Sequence, residues 1–173
     1  MTGLAAPQSG PGQWVILLYR LPREPSTPRI AVWRKLKRLG VAQLTDGLVA
    51  LPADARTREQ LDWIADEVID AGGTAGVWIA HPASTQQEHE LARAMAAARA
   101  GEYAVIRAEA LAGDASNEAT RVSLARRLRA ELRRIARRDY FPPPERDLAR
   151  AAVDALTADT AADLTTNARE MQP

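Results

Sequence analysis

The chain has 173 residues and no cysteine. That absence excludes disulfides, thiolate metal sites and thiol redox chemistry together, so the chain cannot reduce an oxidant with thiols of its own. Histidine is nearly missing as well: His81 and His89 are the two in the sequence. Without thiolates they make no ligand set of zinc-site spacing, and no metal is expected. Net charge is almost nil, with 23 Lys+Arg against 22 Asp+Glu and a formal +1. A generic polycation is thereby excluded, and charge has to be judged patch by patch. The longest uninterrupted apolar run, Trp14 to Tyr19, is far below the roughly 20 residues that span a bilayer. The first positive side chain is Arg20, which leaves no charged n-region for a signal peptide. A cytoplasmic protein with no membrane partner is expected. Gly-rich phosphate loops, a GxSxG elbow and nucleophile–base pairs are also missing, so neither catalysis nor a cofactor is expected.

What is present suffices for a core. Hydrophobic residues make up 46% of the chain, enough for one compact domain with a helical extension. Residues 1–13 are rich in Gly, Pro, Ala and Ser and read as a disordered leader. Trp14 to Tyr19 is apolar throughout and predicts a central strand covered on both faces. Ser26-Thr27-Pro28 predicts a helix start with a hydroxyl N-cap before a proline. Val32, Trp33, Leu36 and Leu39 share one helical stripe, and Gly40 ends the helix as a left-handed cap. Val41 to Leu44 and Leu48 to Leu51 flank Asp46-Gly47, a strong hairpin signal. A second helix runs from Arg56 to Ala71, with Leu61, Ile64, Ala65 and Val68 on one face and Glu59, Asp62, Asp66 and Asp70 on the other. Those carboxylates could hold a divalent ion only weakly; a solvated face is the expectation. Gly72-Gly73 stops the helix, and Thr74 to Ala80 predicts a fourth strand.

The order strand, helix, strand, strand, helix, strand is the ferredoxin-like βαββαβ pattern of an α+β fold, here assigned to residues 14–82. A helical extension over residues 83–166 follows. It holds one long helix or two short ones from Ser84 to about Ala112, with Gly101 as the break. A helix from Ser116 to about Asp139 comes next, and a last helix from Glu145 to about Leu164. Residues 167–173 are a frayed tail. No second core pattern is legible. Trp14, Trp33 and Trp78 are expected in the core, and Trp63 beside the acidic face.

The strongest charge feature is the helix after Ser116. Arg126, Arg127, Arg129, Arg133, Arg134, Arg137 and Arg138 lie away from its leucines, with Glu131 the one acid nearby. Like charges at i,i+4 each cost roughly 0.2–0.5 kcal/mol in an isolated helix, so such a face favours anions. The anions could be the acidic helix face, nucleic-acid phosphate or a small oxyanion. Arg34, Lys35, Lys37 and Arg38 on the first helix form a second basic face. The candidate binding residues for DNA or an oxyanion are therefore Arg126, Arg129, Arg133, Arg134, Arg137, Arg34, Lys35 and Arg38. Neither helix belongs to a helix-turn-helix pattern, so DNA would be met by a patch or through a dimer.

Arg20-Leu21-Pro22, Pro28-Arg29, Trp33, Leu36, Leu39-Gly40, Asp46-Gly47, Leu51-Pro52, Gly72-Gly73 and Arg137-Arg138-Asp139-Tyr140-Phe141 together resemble the N-terminal region of the chromate resistance protein ChrB family. The resemblance covers about Trp14 to Phe141. Full-length members are regarded as chromate-responsive regulators of a chromate efflux operon. The resemblance thus implies transcription regulation, DNA and chromate as partners, and a homodimer. Functions housed in the C-terminal domain of full-length members are expected to lie outside this chain. The core is also similar to the middle domain of phenylacetate-operon repressors and to small CRISPR-associated nucleases. Those nucleases hold a metal through an aspartate after the first strand; Arg20 follows it here, and a cation cannot ligate a metal. The expected function is a non-catalytic, chromate-resistance-associated DNA-binding regulator. A protein-interaction or small-oxyanion-binding module with no nucleic-acid role is the alternative.

Overall fold

A computed structural model describes residues 12–158. The expected leader, apart from Gly12 and Gln13, the expected tail and the far end of the expected last helix lie outside them. The elements are β1 (Trp14–Arg20), α1 (Ser26–Leu39), β2 (Ala42–Thr45), β3 (Leu48–Pro52), α2 (Ala55–Asp70), β4 (Thr74–Ala80), α3 (Thr85–Gly113), α4 (Glu118–Ala136) and α5 (Glu145–Ala155). The strands form one antiparallel sheet in the order β2-β3-β1-β4, the ferredoxin-like arrangement that the pattern predicts. The chain divides into two compact units, one up to Met95 and one from Ala96, with the boundary inside α3.

In the first unit, strand alternation decides what is buried. Val15 and Leu17 of β1 pair in register with Leu51 and Val49 of β3, and all four are buried together with Val32 and Leu36 of α1 and Leu61, Ile64 and Val68 of α2. The opposite face behaves differently along its length. Trp14 and Ala50 are buried, whereas Leu18 and Trp78 are exposed. The expectation of a first strand covered on both faces therefore holds only for its beginning. Near that beginning, Glu88 of α3 accepts from the Gly12 amide (2.8 Å) and the Trp14 indole N–H (3.3 Å).

Local punctuation follows the sequence closely, with two exceptions. Gly40 has φ 72°, and its N–H returns to the carbonyls of Leu36 and Lys37, closing α1 as a left-handed cap. The start of α1 is different: Pro25 occupies the N-cap with extended backbone and no side-chain cap bond, so Ser26, Thr27 and Pro28 form the first turn instead. The start of α2 was not legible as a cap. Asp54 accepts from the Thr57 amide at 2.6 Å while Thr57 Oγ1 accepts from the Asp54 amide at 2.9 Å, a reciprocal capping box.

The second unit has a core of its own. Tyr103, Ile106 and Ala110 of α3, Ala125, Leu128, Leu132 and Ile135 of α4, and Ala149, Val153 and Leu156 make one buried cluster. This corrects the reading of no second core. Alanine hides the pattern, because its small side chain lets helices approach closely without adding to an apolar stripe. α3 runs unbroken through Gly101. The buried Tyr103 donates its hydroxyl to Asp139 at 2.9 Å.

That phenol has its pKa pushed up to about 12 from 10.0, by burial first, then by the hydrogen bond and charge of Asp139, with Arg146 and Arg150 acting in the opposite direction. A folded-state pKa above the unfolded one gives stability that is fully present below the unfolded value and lost as pH rises through the folded one. Unfolding free energy should therefore fall between pH 10 and about 12. Tyr103→Phe should show a shallower fall in urea titrations across that interval; an equal fall in both proteins would refute the assignment.

Candidate anion and nucleic-acid interface

The basic residues named from sequence split into two groups once their neighbours are known. On α4, Arg127 is paired with Glu109 of α3 and lies 3.6 Å from Glu131. Arg129 donates to Asp154 at 3.1 Å and to the Thr157 hydroxyl at 2.9 Å. Arg138, just past α4, pairs with Glu102 of α3; burial pulls its pKa down while Glu102 works to raise it. These guanidinium groups tie the three-helix unit together. Their neutralisation explains how α4 tolerates its density of arginine: apart from Glu131, the acids come from other helices, where a helical wheel of α4 cannot show them.

Arg126, Arg133 and Arg134 differ. All three are exposed, and among the described residues none makes an ion pair. Arg137 is also exposed. Arg133 lines a shallow depression of ≈ 380 Å³ with Arg129, Arg150 and Asp154. The face predicted from sequence is thus narrower than seven arginines, and what remains on it carries charge toward solvent.

On α1, Lys35 is committed to Glu67 of α2. Lys37 stands 5.1 Å from the centre of the Trp33 ring, within cation–π range. Arg34 and Arg38 are exposed, and no acid pairs with either among the described residues. Trp33 itself is 50% exposed and Trp78 63% exposed, so two of the tryptophans expected in the core are surface residues; Trp14 is buried as expected.

One grouping went unrecognised in the sequence. The end of β1, the first turns of α1 and the β2–β3 hairpin enclose a cavity of ≈ 620 Å³ lined by Tyr19, Arg20, Leu21, Arg29, Ile30, Trp33, Arg34, Gln43, Asp46 and Gly47. Arg29 donates to the Pro22 carbonyl at 3.2 Å. The Tyr19 phenol is raised by burial and then by the Asp46 charge, so it stays protonated at neutral pH. Its amide donates to the Gly47 carbonyl at 2.7 Å, fixing the hairpin against the strand end. Arg20, which reads from sequence only as a misfit for a metal ligand, belongs to this cavity. The signal available was the run Arg20, Arg23, Arg29 with Glu24 as its lone acid.

Among the described residues no group of His, Asp and Glu is arranged to hold a metal ion, and no helix is long and apolar enough to cross a membrane.

Comparison with known proteins gives two matches. The family model described as "Protein ChrB, N-terminal" matches residues 29–120. Protein ChrB of Cupriavidus metallidurans is 32% identical over 142 residues, which covers 80% of this chain and 43% of that protein. The chain thus corresponds to less than half the length of that relative. No solved structure matches it.

Proposed function

The chain belongs to the ChrB family, matching its N-terminal region, and from that premise we propose that it is a non-catalytic regulator of chromate resistance that binds DNA. The observation that carries the DNA-binding part is the exposed set Arg126, Arg133 and Arg134 on α4, unpaired among the described residues. A guanidinium that has no protein acid beside it pays no exchange penalty on meeting a phosphate, and it releases counterions when it does. Arg34 and Arg38 of α1 supply a second basic surface in the other unit. The reading is of a cytoplasmic homodimer that meets the duplex backbone through basic helix surfaces, with chromate as the signal.

Affinity for a duplex carrying the promoter of the chromate-resistance genes should fall with salt, log K against log salt sloping by about 0.9 per phosphate neutralised. Changing Arg126, Arg133 and Arg134 to Ala together should flatten that slope by about 2–3 and weaken binding on every sequence. Fluorescence anisotropy across a salt series measures both. Absence of binding at low salt would abolish the proposal. Chromate binding without any DNA binding would instead favour the small-oxyanion module.

A further inference from the structure

The cavity at the end of β1 holds a combination that DNA backbone contact does not use. Three arginines, Arg20, Arg29 and Arg34, share its lining with one acid, Asp46, a formal balance of +2. Neither Arg20 nor Arg34 has an ion-pair partner among the described residues. Beside them stand an indole and a phenol, Trp33 and Tyr19, with Ile30 and Leu21. Trp33 at 50% and Ile30 at 46% are exposed large apolar side chains, surface that a ligand would remove from water.

Size and charge then narrow the ligand. A volume of ≈ 620 Å³ falls within the roughly 300–1,000 Å³ of sites for organic ligands. A bare tetrahedral oxyanion would satisfy the guanidinium groups and leave the ring-lined wall wet. A phosphate monoester carries about −1.5 to −2 at neutral pH, which matches the lining, and arginine forks suit its oxygens. A flat ring bearing that phosphate would cover Trp33. The solitary carboxylate of Asp46 repels phosphate and accepts from hydroxyl or amino groups, which sets the phosphate away from the hairpin and a sugar or base edge toward it.

We propose that this cavity binds a free nucleoside monophosphate, its base against Trp33 and Tyr19 and its phosphate on Arg20, Arg29 and Arg34. The site shares Arg34 with the second basic surface of the DNA-binding reading, whereas Arg20 and Arg29 have no part in that reading.

Calorimetric titration of the full chain at low salt with adenosine monophosphate, adenosine, inorganic phosphate and a short single-stranded oligoadenylate tests it. Adenosine monophosphate should bind one per chain, about tenfold or more tighter than adenosine or phosphate, because charge-assisted bonds and ring contact are each present only in part in the fragments. Arg20→Ala should weaken it about tenfold or more by loss of a charge-assisted contact, with thermal unfolding and duplex binding unchanged. Trp33→Leu should weaken adenosine monophosphate while leaving phosphate unaffected. The proposal is overturned by equal affinity for phosphate and the nucleotide, by oligoadenylate binding that the mononucleotide does not displace, or by full affinity in Arg20→Ala.

Discussion

Gly47→Ala should lower the unfolding free energy by about 2–5 kcal/mol, the sum of backbone strain and overpacking. Gly47 has φ 76°, a left-handed conformation that costs an L side chain roughly 1–2 kcal/mol. An added Cβ would also press on the Tyr19 carbonyl oxygen, a backbone atom of the central strand that cannot swing aside. The collision falls where Tyr19 donates to Gly47, so relief would open the hairpin against β1. Gly72 is the control: it has the same φ of 76°, and an added Cβ meets nothing within 4 Å. Gly72→Ala should therefore cost only the strain, about 1–2 kcal/mol. Trp14, Trp33, Trp63 and Trp78 all lie in the unit up to Met95, so tryptophan fluorescence in urea reads both variants directly. Equal losses would show that the contact with Tyr19 carries no weight.

Leu128→Ala should destabilise the chain by about 2–5 kcal/mol, the usual range for a truncated core leucine. Leu128 is fully buried in the cluster of α3, α4 and α5. Its surroundings include Ala110, Ala125 and Ala149, which have no longer side chains to reach into the space left behind, so the cost should fall toward the upper end of that range. Leu148 of α5 is exposed, and Leu148→Ala should change stability by no more than about 0.5 kcal/mol. Helical circular dichroism during urea unfolding separates the two. A loss at Leu128 as small as that at Leu148 would contradict the assignment of this cluster as a core.

The sequence was readable where structure is set by near neighbours. Gly40, Asp46-Gly47 and Gly72-Gly73 each mark a chain reversal that the backbone performs, because left-handed φ belongs to glycine. Strand and helix order followed from period, and the sheet order from that. Burial of aromatics was not readable to the same degree. Trp33 shares a helical stripe with Val32 and Leu36, but period alone does not say how far round the helix the core reaches. Trp78 lies in an apolar strand, and alternation alone does not say which sheet face, or which end of it, the helices reach. The Arg-rich helix was legible as a charged element, but which of its arginines are paired within the chain was not. Glu102, Glu109 and Asp154 neutralise part of it from sequence positions with no periodic relation to α4. The cavity escaped because its arginines come from a strand end and a helix start, brought together by the fold.

The sheet ends at β4, which pairs only with β1 among the described strands. Its sequence, TAGVWIA, has no charge and no proline, the two devices by which proteins most often blunt a sheet edge. Trp78 and Ile79 are both exposed on it, and alternation sends them to opposite sides of the sheet. A short uncharged segment whose edge no described strand pairs is a template for another strand. In concentrated solution, cross-β aggregation of this chain would start at Thr74–Ala80, and a charge introduced there by Ile79→Lys would guard the edge without touching either arginine-bearing surface.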